Sequence, residues 1–244
     1  MTNNQNVIEQ NSYELSVKLP FVIKNLVYVL LFILFFYALG QIAKFYFGRD
    51  TLLGFVPMFN LYGEANLPTW FSSIILIISS ALLLIIATAK RFQHDRYFYY
   101  WAGLSAAFLF LSIDESAKLH EAAGRVFQHI VGEFLMKGEW SMWVVPFGVL
   151  VLIFAGAYVR FLFALKPYYR YMFVLAGAIY VSGALGMEVV EIIYVRDAQM
   201  NNGIFMMMVT VEEIMEMGGI ILFIYVLLRY IEENIGKFSV AVRN

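Results

Sequence analysis

The stretch NLVYVLLFILFFYALGQIA, residues 25–43, runs without a single charged side chain between Lys24 and Lys44. About 20 apolar residues at a rise of about 1.5 Å each match the hydrocarbon thickness of a bilayer, so this segment reads as a membrane-spanning helix. Working outward with the same test gives six windows in all, about 22–44, 69–89, 97–119, 142–164, 171–194 and 209–229. Composition agrees. A chain of 244 residues that is 61% hydrophobic and 14% charged, with a mean hydropathy of +0.73, has more apolar surface than one water-soluble core can hide. The expected fold is all-α, an integral membrane bundle of six transmembrane helices with interfacial outer loops, forming one domain over 1–244. The polar opening, 1–20, lacks the small-residue cleavage pattern of a secretory signal and reads as a retained tail, with a second tail at 230–244.

The 17 Lys and Arg residues are placed unevenly. Eleven fall on one side of the expected spans: Lys18, Lys24, Lys90, Arg91, Arg96, Arg160, Lys166, Arg170, Arg229, Lys237 and Arg243. Six fall on the other: Lys44, Arg49, Lys118, Arg125, Lys137 and Arg196. The positive-inside rule then puts both termini in the cytoplasm. Tyr97, Tyr99, Tyr100 and Trp101 read as an inner aromatic belt, and Trp70, Trp140 and Trp143 as an outer one. A net charge of −1 argues against a nucleic-acid partner. Cysteine is absent, which excludes disulfides, iron–sulfur clusters and thiolate metal sites.

Two outer loops, 51–68 and 122–141, are too apolar for solvated connections and too short to span, which suits interfacial or re-entrant segments. Asn66 is placed to cap the second helix, and Pro68 suits its first turn. Ser72, Ser73, Ser79 and Ser80 repeat at a spacing of seven, a small-residue stripe for close helix packing, and Gly183, Gly186, Gly218 and Gly219 read in the same way.

With this topology the acids gather. Glu64 precedes the second span; Asp114, Glu115 and Glu121 close the third; Glu188 and Glu191 lie at the outer end of the fifth; Glu212, Glu213 and Glu216 open the sixth. These are nine of the eighteen acids, at one level. Glu188 and Glu191 share a face, as do Glu212 and Glu216, while Asp114, Lys118 and Glu121 form a stripe with His120 off it. Ionisable groups at membrane depth face the bundle interior and pair with something. Lys118, Arg125 and Arg196 are too few to neutralise nine acids, so a divalent cation bound by Glu64, Asp114, His120, Glu188, Glu191, Glu212 and Glu216 is expected, with Glu115 left as a general base. Oxygen-rich ligation suits iron, manganese, magnesium or calcium, or zinc with one histidine. A plain interfacial salt-bridge network accounts for the same acids. His94 reads as solvated, His129 as an outside candidate for a second imidazole, and the outer methionines as packing rather than Cu(I) ligands.

The strings GEANLPTWFSS, 63–73, and FLSIDESAKLHE, 110–121, resemble segments of a family of uncharacterised bacterial multi-span membrane proteins, in which a Gly-Glu-x-Asn-x-Pro-Thr-Trp run opens one helix and an Asp-Glu-x-x-x-x-His-Glu run closes the next. The likeness covers about a quarter of the chain and implies that Glu64, Asn66, Asp114, Glu115, His120 and Glu121 match the family's motif, with no activity to carry over; the expected location is a bacterial inner membrane. Ser116 and His120 also resemble the Ser-x-x-x-His motif of ceramidase-type membrane hydrolases, but the seventh span and the late histidines of those enzymes are missing.

Three classes of function fit: a metal-dependent membrane enzyme, hydrolase or oxidoreductase, acting on a lipid or lipophilic substrate; a cation- or proton-coupled transporter or channel; and a non-catalytic subunit or sensor. The inner halves of spans two, three and five are nearly all apolar, which places the enzyme ahead of the transporter. Reporter fusions test the topology: a fusion at Asn244 is expected to be active only as a cytoplasmic reporter, and a periplasmic signal there contradicts the charge count.

Overall fold

The computed structural model describes residues 19–131, 143–195 and 202–235; among them the chain is helical and no strand occurs. Helix α1 (Leu19–Phe47) is followed by a 3-10 turn (Leu52–Gly54) and the short α2 (Phe55–Met58). Then come α3 (Leu67–Phe92), α4 (Phe98–Ala117), α5 (Leu119–Val131), α6 (Val144–Ala164) and α7 (Pro167–Val181). A π-helical segment (Ser182–Met187) leads from α7 into α8 (Glu188–Val195), and α9 (Gly203–Asn234) closes the bundle. Of the expected tails, 19–20 belong to α1 and 230–234 to α9; residues 1–18 and 236–244, with Trp140 and Arg196, lie outside the described residues.

Five of these stretches are long and apolar enough to cross a bilayer: α1, α3, α6, α9 and the continuous run Pro167–Val195. The expected span at 97–119 is α4, which is 20 residues long and less apolar because its tyrosines, serines and two acids lower its hydropathy. It nevertheless lies along α3, and serines fix the pairing. Ser80 and Ser105 each donate to the other's carbonyl at 2.8 Å. Seven residues further along each helix, Ser73 donates to the Ser112 carbonyl at 3.2 Å and Ser112 returns a bond to the Ser73 carbonyl at 3.0 Å. The two helices are therefore antiparallel, drawn close by small side chains that satisfy one another where water is absent.

The centre of the bundle is α3 against α9. Ile75, Leu76, Leu83 and Ile86 cluster with Met217, Ile220, Ile224 and Leu227, none more than 1% exposed. Helix α1 adds Leu30, Ile33 and Tyr37 at one end of this core, and α4 and α7 add Trp101, Tyr169 and Phe173 at the other. Phe161 is the buried side chain of α6, which otherwise sits at the rim. Outward-facing Phe35, Leu152, Phe163 and Val174 leave an apolar surface that suits lipid and would be a liability in water.

The expected inner belt needs one correction. Trp101 is 1% exposed and packs against Phe161, Phe173 and Tyr230, so it is core rather than an interfacial anchor. The outer loop 51–68 is apolar because it folds back on α1, with Phe55 and Phe59 against Phe36 and Val56 over Gly40. Asn66 caps α3 as expected, accepting from the Thr69 amide at 3.2 Å, while its side-chain amide donates to the Asn60 and Gly63 carbonyls, both at 2.7 Å.

Two of the four expected packing glycines sit at close approaches. A Cβ on Gly219 would lie 2.9 Å from the Tyr180 nitrogen, and one on Gly183 would lie 2.9 Å from Cγ of Glu216; Gly218 meets no neighbour. Gly219→Ala is accordingly expected to destabilise the bundle by about 1–3 kcal/mol through overpacking, whereas Gly218→Ala should leave it unchanged or slightly stabler. Thermal unfolding in detergent distinguishes the two; equal effects would contradict the α7–α9 contact.

Candidate functional site

The third expected span does not continue smoothly through its acids. α4 ends at Ala117, Lys118 turns into the left-handed region at φ 53°, and α5 starts afresh at Leu119. A lysine in that conformation is held by its neighbours. The Lys118 amide closes the end of α4 on the Asp114 carbonyl at 2.8 Å. The Asp114 carboxylate then reaches forward, accepting the His120 amide at 2.6 Å and meeting the His120 Nδ1 at 3.0 Å. One buried carboxylate thus satisfies an orphan amide at the start of α5 and sets the imidazole. Trp143 covers the ring, with centroids 4.8 Å apart. The stripe expected for Asp114, Lys118 and Glu121 is broken by this turn, and His120, expected off it, is the residue brought to Asp114.

Two groups of ligand-bearing side chains result, each with one atom per residue within 4.8 Å of the others: Glu64, His120 and Glu121 in the first, and Glu188, Glu191 and Glu212 in the second. Oxygens at 2.0–2.6 Å from one cation lie at most about 4–5 Å apart, so both spacings are compatible with a shared ion. The groups differ in charge compensation. In the first, Lys118 forms an ion pair with Glu64 and lies 3.5 Å from Glu121, which also meets Arg125 at 3.3 Å. Burial draws the His120 pKa down, but the Asp114 hydrogen bond and the charges of Asp114, Glu121 and Glu115 outweigh it and leave the imidazole above its ordinary value.

The second group is assembled by an irregular backbone. The π-helical segment Ser182–Met187 widens the helix just before Glu188, and Gly183 lets α9 come close enough to bring Glu212 and Glu216 against it. Such π-bulges recur at functional sites because they re-aim the side chains that follow. Glu191 is 7% exposed; one of its oxygens, Oε1, is buried with no hydrogen-bond partner, while the carboxyl engages that of Glu212. Two carboxyl groups face each other stably only with a proton or a cation between them. Among the described residues Glu191 and Glu212 form no salt bridge with Lys or Arg.

The remaining acids lie between the groups. Glu115, half-buried, hydrogen-bonds Ser72 and feels the charges of His120 and Asp114. Glu216 lies in the field of Glu213, Glu115, Glu188 and Asp114. On the lipid side of α8 and α9 the exposed residues are Val189, Val190, Ile193, Val211 and Ile214, so the carboxyls occupy the interior faces. His94 is exposed in the turn before α4, and His129, exposed in α5, belongs to neither group.

Two neighbouring tyrosines were not singled out from the sequence, and Glu213 was expected at this level but not as a ligand. Tyr62 feels both groups: burial, then the charges of Glu191, Glu188 and Glu121, raise its hydroxyl pKa above the ordinary value. Tyr180 lies in the field of Glu216, Glu115, Asp114 and Glu213. Glu213 joins the interior set although helical spacing puts it off the Glu212/Glu216 face. Nothing in the spacing of the tyrosines distinguishes them from the other aromatic residues of an apolar bundle.

Asp114→Ala should lower stability by about 0.5–2 kcal/mol through loss of the amide acceptor. A further loss tied to the imidazole should be present below the ordinary histidine pKa and disappear as pH rises through the raised one. Melting curves of wild type and variant across pH check both; a pH-independent difference contradicts the His120 pairing.

No curated protein and no solved structure matches the chain. A family model does, described as Domain of unknown function (DUF8692), over residues 24–231, which covers the bundle and every carboxylate of the two groups. The chain therefore belongs to the DUF8692 family.

Proposed function

We propose that this membrane protein holds a divalent cation between α8 and α9 and uses it for chemistry on a lipophilic substrate at the outer edge of the bilayer. The observation that carries the reading is Glu191: a carboxyl oxygen buried without a partner, inside a trio with Glu188 and Glu212 whose oxygens are spaced for one ion. A cation supplies the missing partner and relieves the repulsion of the trio. Glu216, one turn from Glu212, completes the acidic wall.

The ligand set of this trio is all oxygen, which favours iron, manganese, magnesium or calcium. The other trio, Glu64 and Glu121 with one imidazole, suits zinc once Lys118 is displaced, and Asp114 on Nδ1 then acts as the outer carboxylate that orients a ligating histidine. A divalent cation in either place polarises a carbonyl or phosphoryl oxygen and acidifies water. Glu115, in neither trio, accepts the proton as general base, and Ser72 holds its carboxyl in place.

An enzyme is favoured over a transporter by where the polar groups stop. Below the carboxylates, Ser80 and Ser105 are closed on each other, and the α3–α9 core beneath is made of Leu, Ile and Met. A pathway for ions needs polar groups through the membrane thickness.

Metal-dependent stability tests the reading. Cation at 100 times its Kd should stabilise wild type by about 2.7 kcal/mol, and Glu191→Gln, Glu188→Gln and Glu216→Gln should remove that increment while leaving the metal-free Tm near wild type. Equal destabilisation with and without metal would point to a structural carboxyl network and withdraw the enzyme reading.

A further inference from the structure

At the end of the bundle opposite the carboxylates, a cavity of about 200 Å³ is lined by Arg96, Tyr97, Tyr100 and Arg160. At about 30 Å³ per water it has room for several, and so for a phosphate group. Its wall is firmly built. Tyr100 stacks on Phe161 at 5.2 Å, and Tyr158 donates to the Tyr100 carbonyl at 3.0 Å through a gap that only glycine leaves, since a Cβ on Gly103 would lie 2.5 Å from the Tyr158 hydroxyl oxygen. The Arg96 guanidinium lies 4.8 Å over the Tyr97 ring and donates to its hydroxyl at 2.9 Å.

Among the described residues the two arginines of this cavity have no acidic partner. Nearby Lys90 pairs with Asp95 at 3.2 Å and Arg229 with Glu233 at 2.8 Å, but among the described residues no carboxylate meets Arg96 or Arg160. Arg160 is also oddly placed for a solvated residue. It belongs to α6, the rim helix, between the exposed Val159 and Phe163, which are 48% and 70% accessible and suited to lipid tails. A guanidinium on a lipid-facing helix near its end meets one anion in quantity, the phosphate of a lipid headgroup, and arginine's planar fork grips phosphate through two bonds at once. The positive-charge count places this end at the cytoplasmic leaflet, where anionic lipids concentrate and basic pockets between helices take their headgroups.

We infer that Arg96 and Arg160, with the hydroxyls of Tyr97 and Tyr100, form a binding site for the phosphate of an anionic phospholipid whose acyl chains lie along α6. This site is independent of the cation reading, because it shares no residue with the two carboxylate groups.

Native mass spectrometry of the full chain in detergent tests it, with phosphatidylglycerol, phosphatidylcholine and soluble glycerol phosphate as the three probes. Each arginine that bonds the phosphate directly is worth at least about fivefold, so the double variant Arg96→Gln/Arg160→Gln should bind phosphatidylglycerol on the order of 25-fold more weakly than wild type. The double variant Arg91→Gln/Arg170→Gln removes the same charge from the same end and should stay near wild type. Phosphatidylcholine should bind all three proteins alike, and glycerol phosphate should fail to displace the bound lipid. An equal fall in both double variants would reduce the site to diffuse surface attraction, and no fall in the pocket variant would remove it. Displacement by glycerol phosphate would make it a site for a soluble phosphate. Each of these three results overturns the proposal.

Discussion

Carboxyl groups inside an apolar bundle repel one another, and lipid offers no water to absorb the charge, so each must find a proton, a cationic side chain or an ion. That constraint organises the acidic end of this protein. Glu64 and Glu121 are answered by Lys118 and Arg125, and Asp114 by the amide and ring of His120. Glu191 and Glu212 form no salt bridge with Lys or Arg among the described residues, and the backbone beside them is irregular, a π-helical segment with Gly183 pressed against Glu216. Irregular backbone at membrane depth is tolerated where it is buried in protein. Here it brings three carboxyls within ligand distance.

Much of this was readable from spacing. A run of about 20 apolar residues has one stable answer in lipid, so the spans and the all-α class followed directly. The seven-residue repeat of serines on the second span matched the partner serines at 105 and 112, and Asn66 before Pro68 announced a helix start. The gathering of acids at one end needed only the topology, because helices of similar length deliver equivalent positions to the same level.

What escaped the sequence is what tertiary contact decides. Lysine gives no local signal for a left-handed turn; Lys118 adopts one because the Asp114 carboxylate and the start of α5 hold it there, and that single residue moves His120 onto Asp114. Likewise nothing in SGALGM, 182–187, reads as π-helical, and the glycines that matter are distinguished from their neighbours only by what lies opposite: Gly219 meets α7, Gly218 meets nothing. Trp101 looked interfacial from its tyrosine neighbours, yet aromatic rings from three helices, α6, α7 and α9, close over it. The division of the acids into two groups follows from these same local choices.

The bundle is polarised, with carboxyls gathered at one end and guanidiniums at the other, and the central claim concerns the first. Elemental analysis of protein purified without chelators addresses it most directly. One divalent metal per chain in the wild-type protein, lost in Glu191→Gln, is the predicted result. A wild-type protein that is free of metal and takes up none from iron, manganese, zinc, magnesium or calcium would contradict the account.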